Sequence, residues 1–217
     1  MFEKFDLKNK WKYENGYFLT SDPQRYLKTF FHNELFSLSK NARGDIFEFG
    51  VFKGSSLIRF ATLSAYFTPK KKIYGFDIFG KFPKQKRLDD NNFIKKFESL
   101  SGHGISKKAL NNYINLKKLN NVNLIDGDIN ITLNNFLKKN KPIISLLHID
   151  VDVYQPTKLI LENLYDYVSK NGVIIFDDYK VVKGETDAID EFFKSRKIKK
   201  KIRNFKGFIS PSYYIKK

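Results

Sequence analysis

The chain has 217 residues, 41% of them hydrophobic and 29% charged, which suits a globular protein with one sizeable core. It has no cysteine, so a disulfide framework and thiolate chemistry are excluded, and no apolar run approaches a bilayer span. The formal net charge of +17 admits a nucleic acid, an anionic surface or a phosphorylated substrate, but the excess is mostly lysine, and arginine, the residue of bidentate base and phosphate contacts, is scarce.

A solvated lysine coat is therefore the simpler reading, and no nucleic-acid partner is expected. Residues 1–22 read as irregular and charged, without the apolar stretch of a signal peptide; a cytoplasmic location follows as the expectation. Asn15-Gly16 is a turn signal, and Ser21-Asp22-Pro23 starts a helix that runs to about residue 40 on apolar spacing from Tyr26 to Leu38. "DIFEFG" (45–50) is a short strand, "GSSLIRFATLSAYF" (54–67) a helix and "KKIYGFD" (71–77) a second strand. A polar loop over 78–105 holds one short helix near 90–99 and is a candidate lid. Helix (106–119), strand (121–126), helix (131–139), strand (142–150), helix (156–170), strand (172–178) and helix (184–197) follow. The tail reads as two strands around Lys206-Gly207. Alternating strands and helices predict a mostly parallel sheet covered on both faces; the tail adds an antiparallel hairpin at one edge and brings the sheet to seven strands. Residues 1–40 form an arm and helix that can close over a site, and 41–217 the main domain.

In such a sheet the ligand lies beyond the carboxyl ends of the strands. "EFGVFKGSS" follows the first strand: Gly50 permits a sharp turn, Gly54 lets a ligand approach the helix N-terminus, and Glu48 disfavours a pyrophosphate but suits an ammonium. The spacing is neither G-x-G-x-x-G nor a P-loop. Asp77 ends the second strand and can accept hydrogen bonds from ribose hydroxyls, although alone it reads equally as a turn or cap residue. Asp128 and Ile129 follow the third strand, where they can flank an adenine or simply make a turn. Acids at successive strand ends suit a nucleoside that lacks a pyrophosphate and carries an ammonium at its other end, as S-adenosylmethionine does. "HIDVDVYQPT" and "FDDY" add further carboxylates after the fourth and fifth strands, a crowding that is unfavourable unless the acids hold something. His148, inside the fourth strand, reads as a satisfied core histidine. His103 has a low prior as an acceptor contact, and Trp11 and Tyr13 read as packing residues.

These stretches, together with "YENGYFLTSD", "IYGFDIFGKFP", "DGDINITL" and "GETDAIDEFF", resemble the class I S-adenosylmethionine-dependent methyltransferases and, more narrowly, the macrocin O-methyltransferase family, over nearly the whole chain. The resemblance implies a Rossmann-like fold and methyl transfer to a sugar hydroxyl, on a nucleotide-linked deoxysugar or a glycan precursor. It carries cofactor contacts onto Glu48, Gly50, Gly54, Ser55, Asp77 and Asp128, and a divalent metal, taken as Mg²⁺, onto Asp150, Asp177 and Asp178. Val153 stands in the region where catechol-type relatives place a basic lysine, and the resemblance points to Asp152 as the base. A carboxylate bound to a cation is a poor base, so Asp150 is the better ligand and Asp152 the better base; strand alternation puts both on one side if the strand persists, and Asp152 can instead cap the helix at Pro156. Lys81, Lys84, Lys86 and Arg87 face either an anionic carrier or solvent. A phenolic acceptor, a basic nucleic-acid binder and a non-catalytic Rossmann-like module remain the alternatives, and a homo-oligomer is compatible with the sequence.

Overall fold

The computed structural model describes residues 5–199 and 201–217, so the first four residues of the N-terminal segment and Lys200 of the tail lie outside the description. The strands are β1 (Asp45–Phe49), β2 (Ile73–Asp77), β3 (Val122–Asp126), β4 (Ile144–Ile149), β5 (Val168–Phe176), β6 (Arg203–Asn204) and β7 (Ser212–Ile215). They form one seven-stranded sheet in the order β3-β2-β1-β4-β5-β7-β6. β1 to β5 pair in parallel, and β7 pairs antiparallel with both β5 and β6. This is the Rossmann-like methyltransferase arrangement with its C-terminal edge hairpin. The winding reverses between β1 and β4, and a crevice opens there.

The helices are α1 (Lys10–Thr20), α2 (Pro23–Ser39), α3 (Ser55–Phe67), α4 (Leu88–Ser101), α5 (Lys107–Leu116), α6 (Ile129–Lys139), α7 (Tyr154–Leu164) and α8 (Lys183–Ser195). Strand parity sorts the core. Phe47, Phe49, Leu147, Ile149, Ile174 and Phe176 pack on one face with α6, α7 and α8. Ile46, Leu146, Val173 and Ile175 pack on the other with α2, α3 and α5. Leu35 and Phe36 of α2 are fully buried there.

Local structure departs from expectation in three places. Residues 10–20 are helical and not irregular, and Asn15-Gly16 lies inside α1. Tyr17 Oη is 3.1 Å from Thr29 Oγ1, and Tyr17 and Phe18 pack against Tyr26 of α2, tertiary contacts that override the local turn signal. Trp11 is 65% exposed, with the Lys10 ammonium 5.7 Å from its ring centroid, and Tyr13 meets Phe5 edge-on. The expected helix to residue 170 stops at Leu164, because Val168 already pairs with Ile144. Among the described residues no helix is long and apolar enough to cross a membrane.

Candidate active site

The backbone ladder runs past the strand ends and fixes the loops there in order. Asp77 O accepts from Gly127 N, Phe76 O from Gly50 N, Phe49 O from Asp150 N and Ile149 O from Asp177 N, all at 2.9–3.0 Å. Gly50 has φ +86°, and a Cβ there would collide with the Asp150 carbonyl; only glycine lets the ends of β1 and β4 approach this closely. Above these ends lies a cavity of about 910 Å³.

Gly50, Ser55, Asp77, Asp128 and Ile129 all line the cavity. The Asp77 carboxylate holds the glycine turn: Oδ2 accepts from Val51 N at 2.7 Å and Phe52 N at 2.9 Å, and Oδ1 from Phe79 N at 2.6 Å. Oδ2 is saturated, while Oδ1 keeps acceptor capacity. Burial pushes the Asp77 carboxyl up, and these amides hold it partly back. Asp128 is the N-cap of α6, accepting from Asn130 N at 2.9 Å.

Two expected cofactor contacts are placed elsewhere. Glu48 is fully buried and does not line the cavity; its parity with Ile46 turns it beneath α2 and α3, where it accepts from Ser56 Oγ at 2.8 Å. Gly54 faces Leu110 of α5, with which a Cβ would clash, so its role is helix packing and not ligand approach.

Asp150, Asp177 and Asp178 each offer an oxygen within 4.8 Å of the others. β4 ends at Ile149, and Asp152 lies past it with φ +63°, so strand alternation does not apply. Asp152 still turns into the cavity wall, and it caps nothing, since α7 begins at Tyr154 with Val153 as N-cap. Burial, then Asp178 and Asp150, hold the Asp152 carboxyl well above its usual range; burial and Asp177 do the same to Asp150. Glu185 of α8 completes the group: Oε1 accepts from Asp178 N at 3.2 Å, and Oε2 is buried without a hydrogen-bond partner. Burial and then Asp178 raise it too. Carboxylates crowded at low dielectric, one with an orphaned oxygen, fit a hard divalent cation.

Asp177 differs from its neighbours. Burial works against its charge, but Lys28, then His148 and His32, outweigh it and hold the carboxyl well below its usual range. The Lys28 ammonium, from α2, sits on Oδ2. Oδ1 faces His148 Nε2 at 3.4 Å and His32 Nε2 at 3.5 Å. Behind them, His148 Nδ1 is 3.5 Å from Glu48 Oε2. Burial works against the His148 imidazolium, yet the Asp177 and Glu48 carboxylates push it up to about 10. Arg59 donates to His32 Nδ1 at 2.8 Å, which leaves the Nε2 proton of a neutral ring aimed at Asp177. Burial lowers His32 to about 4. The His32, His148 and Asp177 group also has metal-like spacing, with the Arg59 guanidinium already on His32 Nδ1.

Sequence reasoning missed Lys28, His32, Arg59 and Glu185. Arg25, Lys28 and His32 fall on one face of α2 at helical spacing, a weak signal that reads as a solvated stripe. Arg87, expected near an anionic carrier, instead donates to Asp187 at 2.5 Å and lies 4.6 Å over the Tyr154 ring. Lys81, Lys84 and Lys86 do not line the cavity; Arg25, Lys28 and Arg59 do. His103 is 3.1 Å from Glu98 and outside the wall.

The sequence pattern of the family described as Macrocin-O-methyltransferase (TylF) matches residues 25–209. The chain is 26% identical over 161 residues to the demethyldecarbamoylnovobiocin O-methyltransferase of Streptomyces niveus, a match covering 71% of this chain and 60% of that protein. The chain thus spans less than two thirds of that relative. Among solved structures it is similar to CalS11, a calicheamicin methyltransferase, at TM-score 0.74 and 22% identity over 98% of this chain and 86% of that one. The apo form of CalS11, described as a TDP-rhamnose 3'-O-methyltransferase, gives TM-score 0.70 over 98% and 87%. The O-methyltransferase NovP gives 0.73 at 22% identity over 85% of this chain and 78% of its own. At these identities the structures speak for the fold, and the sequence pattern for the family: the chain belongs to the macrocin O-methyltransferase family.

Proposed function

We propose that the protein is an S-adenosylmethionine- and divalent-metal-dependent O-methyltransferase acting on a sugar hydroxyl, carried on a nucleotide-linked deoxysugar or a glycan precursor. The observation that carries this reading is the convergence of Asp150, Asp152, Asp177 and Asp178 in the wall of the same cavity that Asp77, Asp128 and Ile129 line. Asp77 Oδ1, which accepts from Phe79 N, keeps a lone pair for a ribose hydroxyl, Ile78 and Ile129 are apolar walls for a base, and Gly50 and Ser55 border the space between them. S-adenosylmethionine, when bound, supplies an already activated methyl group. Asp150, Asp177 and Asp178 would hold the metal, which supplies the charge that lets adjacent oxygens of the acceptor settle among carboxylates.

The chain's own groups do the rest. Asp152 is flanked by acids, not by a cation, and is the carboxylate suited to take the hydroxyl proton. His148, His32 and Lys28 keep Asp177 ionised. Phe82, Phe93 and Phe97, on and before α4, give the cavity an apolar side that excludes water, and Arg25 and Lys28 give it a basic side where an anionic carrier fits. CalS11, described as a TDP-rhamnose 3'-O-methyltransferase, supports a nucleotide-linked acceptor. We take the N-terminal segment through α2, whose Tyr17, Arg25 and Lys28 line the cavity, as the part that borders acceptor entry.

The test is methyl transfer from labelled cofactor to nucleotide-linked deoxysugars, catechols and RNA, run side by side with and without chelator. Turnover of the sugar nucleotide, lost on chelation, is expected. Turnover confined to the catechol or to RNA would overturn the acceptor assignment, and full activity in chelator would overturn the metal.

A further inference from the structure

Both oxygens of Asp177 face nitrogen groups. Its Oδ1 is shared by His148 and His32, whose side chains are 0% and 1% exposed, and its Oδ2 carries the Lys28 ammonium. The histidines cannot withdraw. His148 is held between Asp177 and Glu48, and His32 between Asp177 and Arg59, with Phe60 against both rings. Lys28 can withdraw. Its side chain is 27% exposed, it borders the cavity, and its four-carbon stem turns freely.

The same ammonium lies in the field of Asp150 and Asp178 as well as Asp177. Asp150 and Asp178 each offer an oxygen within 4.8 Å of Asp177's, so the ammonium on Asp177 is a single positive charge beside several negative ones. An ammonium and a divalent ion drawn to the same three carboxylates repel each other strongly at low dielectric.

We propose that Lys28 is a displaceable resident cation of the carboxylate cluster: it occupies Asp177 while no metal is bound, and a divalent ion gains Asp177 only by driving the ammonium out into the cavity. This rests on reading Asp150, Asp177 and Asp178 as metal ligands. Lys28 then acts as a positioning residue. It keeps the metal-free cluster from collapsing under its own repulsion, sets metal affinity below what the number of acids suggests, and on loading presents an ammonium to the acceptor side beside Arg25.

Calorimetric titration of Mg²⁺ and Mn²⁺ into the cofactor-free wild type, Lys28→Met and Lys28→Arg tests this. Lys28→Met should bind on the order of tenfold tighter than wild type, the scale of one charge-assisted hydrogen bond that no longer has to be broken, and Lys28→Arg should not. A purely structural lysine would give the opposite sign, since its loss would loosen the site. Equal or weaker affinity in Lys28→Met overturns the inference and leaves the metal reading standing; no heat in any of the three proteins overturns both. Amine labelling of the wild-type protein, followed by mass spectrometry, reads the displacement without a variant. Labelling at Lys28 should rise with Mg²⁺, and labelling that stays level or falls at saturating metal overturns the proposal.

Discussion

His148 Nε2 lies 3.4 Å from Asp177 Oδ1 at the centre of the molecule, and its other nitrogen lies 3.5 Å from Glu48 Oε2. One imidazolium thus holds two fully buried carboxylates, one under the cavity and one in its wall. Removing a partner from such a group leaves an uncompensated buried charge. His148→Leu should lower stability by about 3–5 kcal/mol, whereas His148→Leu with Glu48→Leu should lower it by less than the sum of the single changes, with a coupling of ~1–3 kcal/mol. Urea unfolding of the four proteins measures this cycle. Strict additivity would show that His148 and Glu48 do not act as a pair.

Asp150 and Asp152 are two residues apart on either side of the start of a left-handed turn, and the proposed function gives them different roles, metal ligand and base. Asp150→Asn should weaken Mg²⁺ binding. Asp152→Asn should leave that affinity nearly unchanged and reduce turnover by ~10²–10⁴-fold, the range of a lost general base. Calorimetry and single-turnover methyl transfer on the same preparations check both. Equal loss of metal affinity in the two variants would make Asp152 a ligand and remove it as the base.

The strand-end acids were legible because two periods place them: apolar runs of strand length mark each end, and strand–helix alternation brings those ends to one edge. Asp77, Asp128, Asp150, Asp177 and Asp178 were all found in this way. Residue type alone does not tell on which face Glu48 lies; strand parity turns it under the helices, away from the cavity wall. Lys28 stands 149 residues from Asp177, and no local pattern encodes a contact that exists only once α2 lies across β5. Asp152 has φ +63° in a turn closed by Val153 N donating to Val151 O at 2.6 Å, and Glu185 N of α8 donates to Asp152 O at 3.2 Å; aspartate tolerates that conformation, but the residue is too common elsewhere to announce the turn in the sequence.

Asp90 anchors the start of α4. It is 2% exposed and accepts from Tyr154 N at 3.2 Å, and burial raises its carboxyl above the usual value. A carboxyl raised in the folded state binds its proton more tightly there than in the unfolded chain. The stabilisation this brings grows as pH falls through the folded value, is complete below the unfolded value of ~3.9, and is absent at neutral pH. Asp90→Asn keeps the acceptor but cannot titrate. The wild type should therefore gain stability relative to Asp90→Asn as pH is lowered from 7 towards 4, and thermal unfolding across that range should show the two curves diverging. Parallel curves would mean that Asp90 has the same proton affinity folded and unfolded.

Cofactor binding should depend on Asp77 and not directly on Glu48. Asp77 borders the cavity and holds three amides of the loops that border it, at Val51, Phe52 and Phe79. An asparagine there must turn an amide group towards at least one of those donors, which opposes the turn and removes the charge at once. Asp77→Asn should weaken binding of S-adenosylhomocysteine by ~1.5–3 kcal/mol, or about 10- to 150-fold, the scale of a hydrogen bond to a charged group. Glu48→Gln should lower overall stability through His148, while the dissociation constant for the folded protein stays within about twofold, well below a tenfold step of 1.4 kcal/mol. Calorimetry below the unfolding transition of each variant separates the two effects. A larger loss of affinity in Glu48→Gln than in Asp77→Asn would return Glu48 to the ligand side of β1, as its residue type alone suggested.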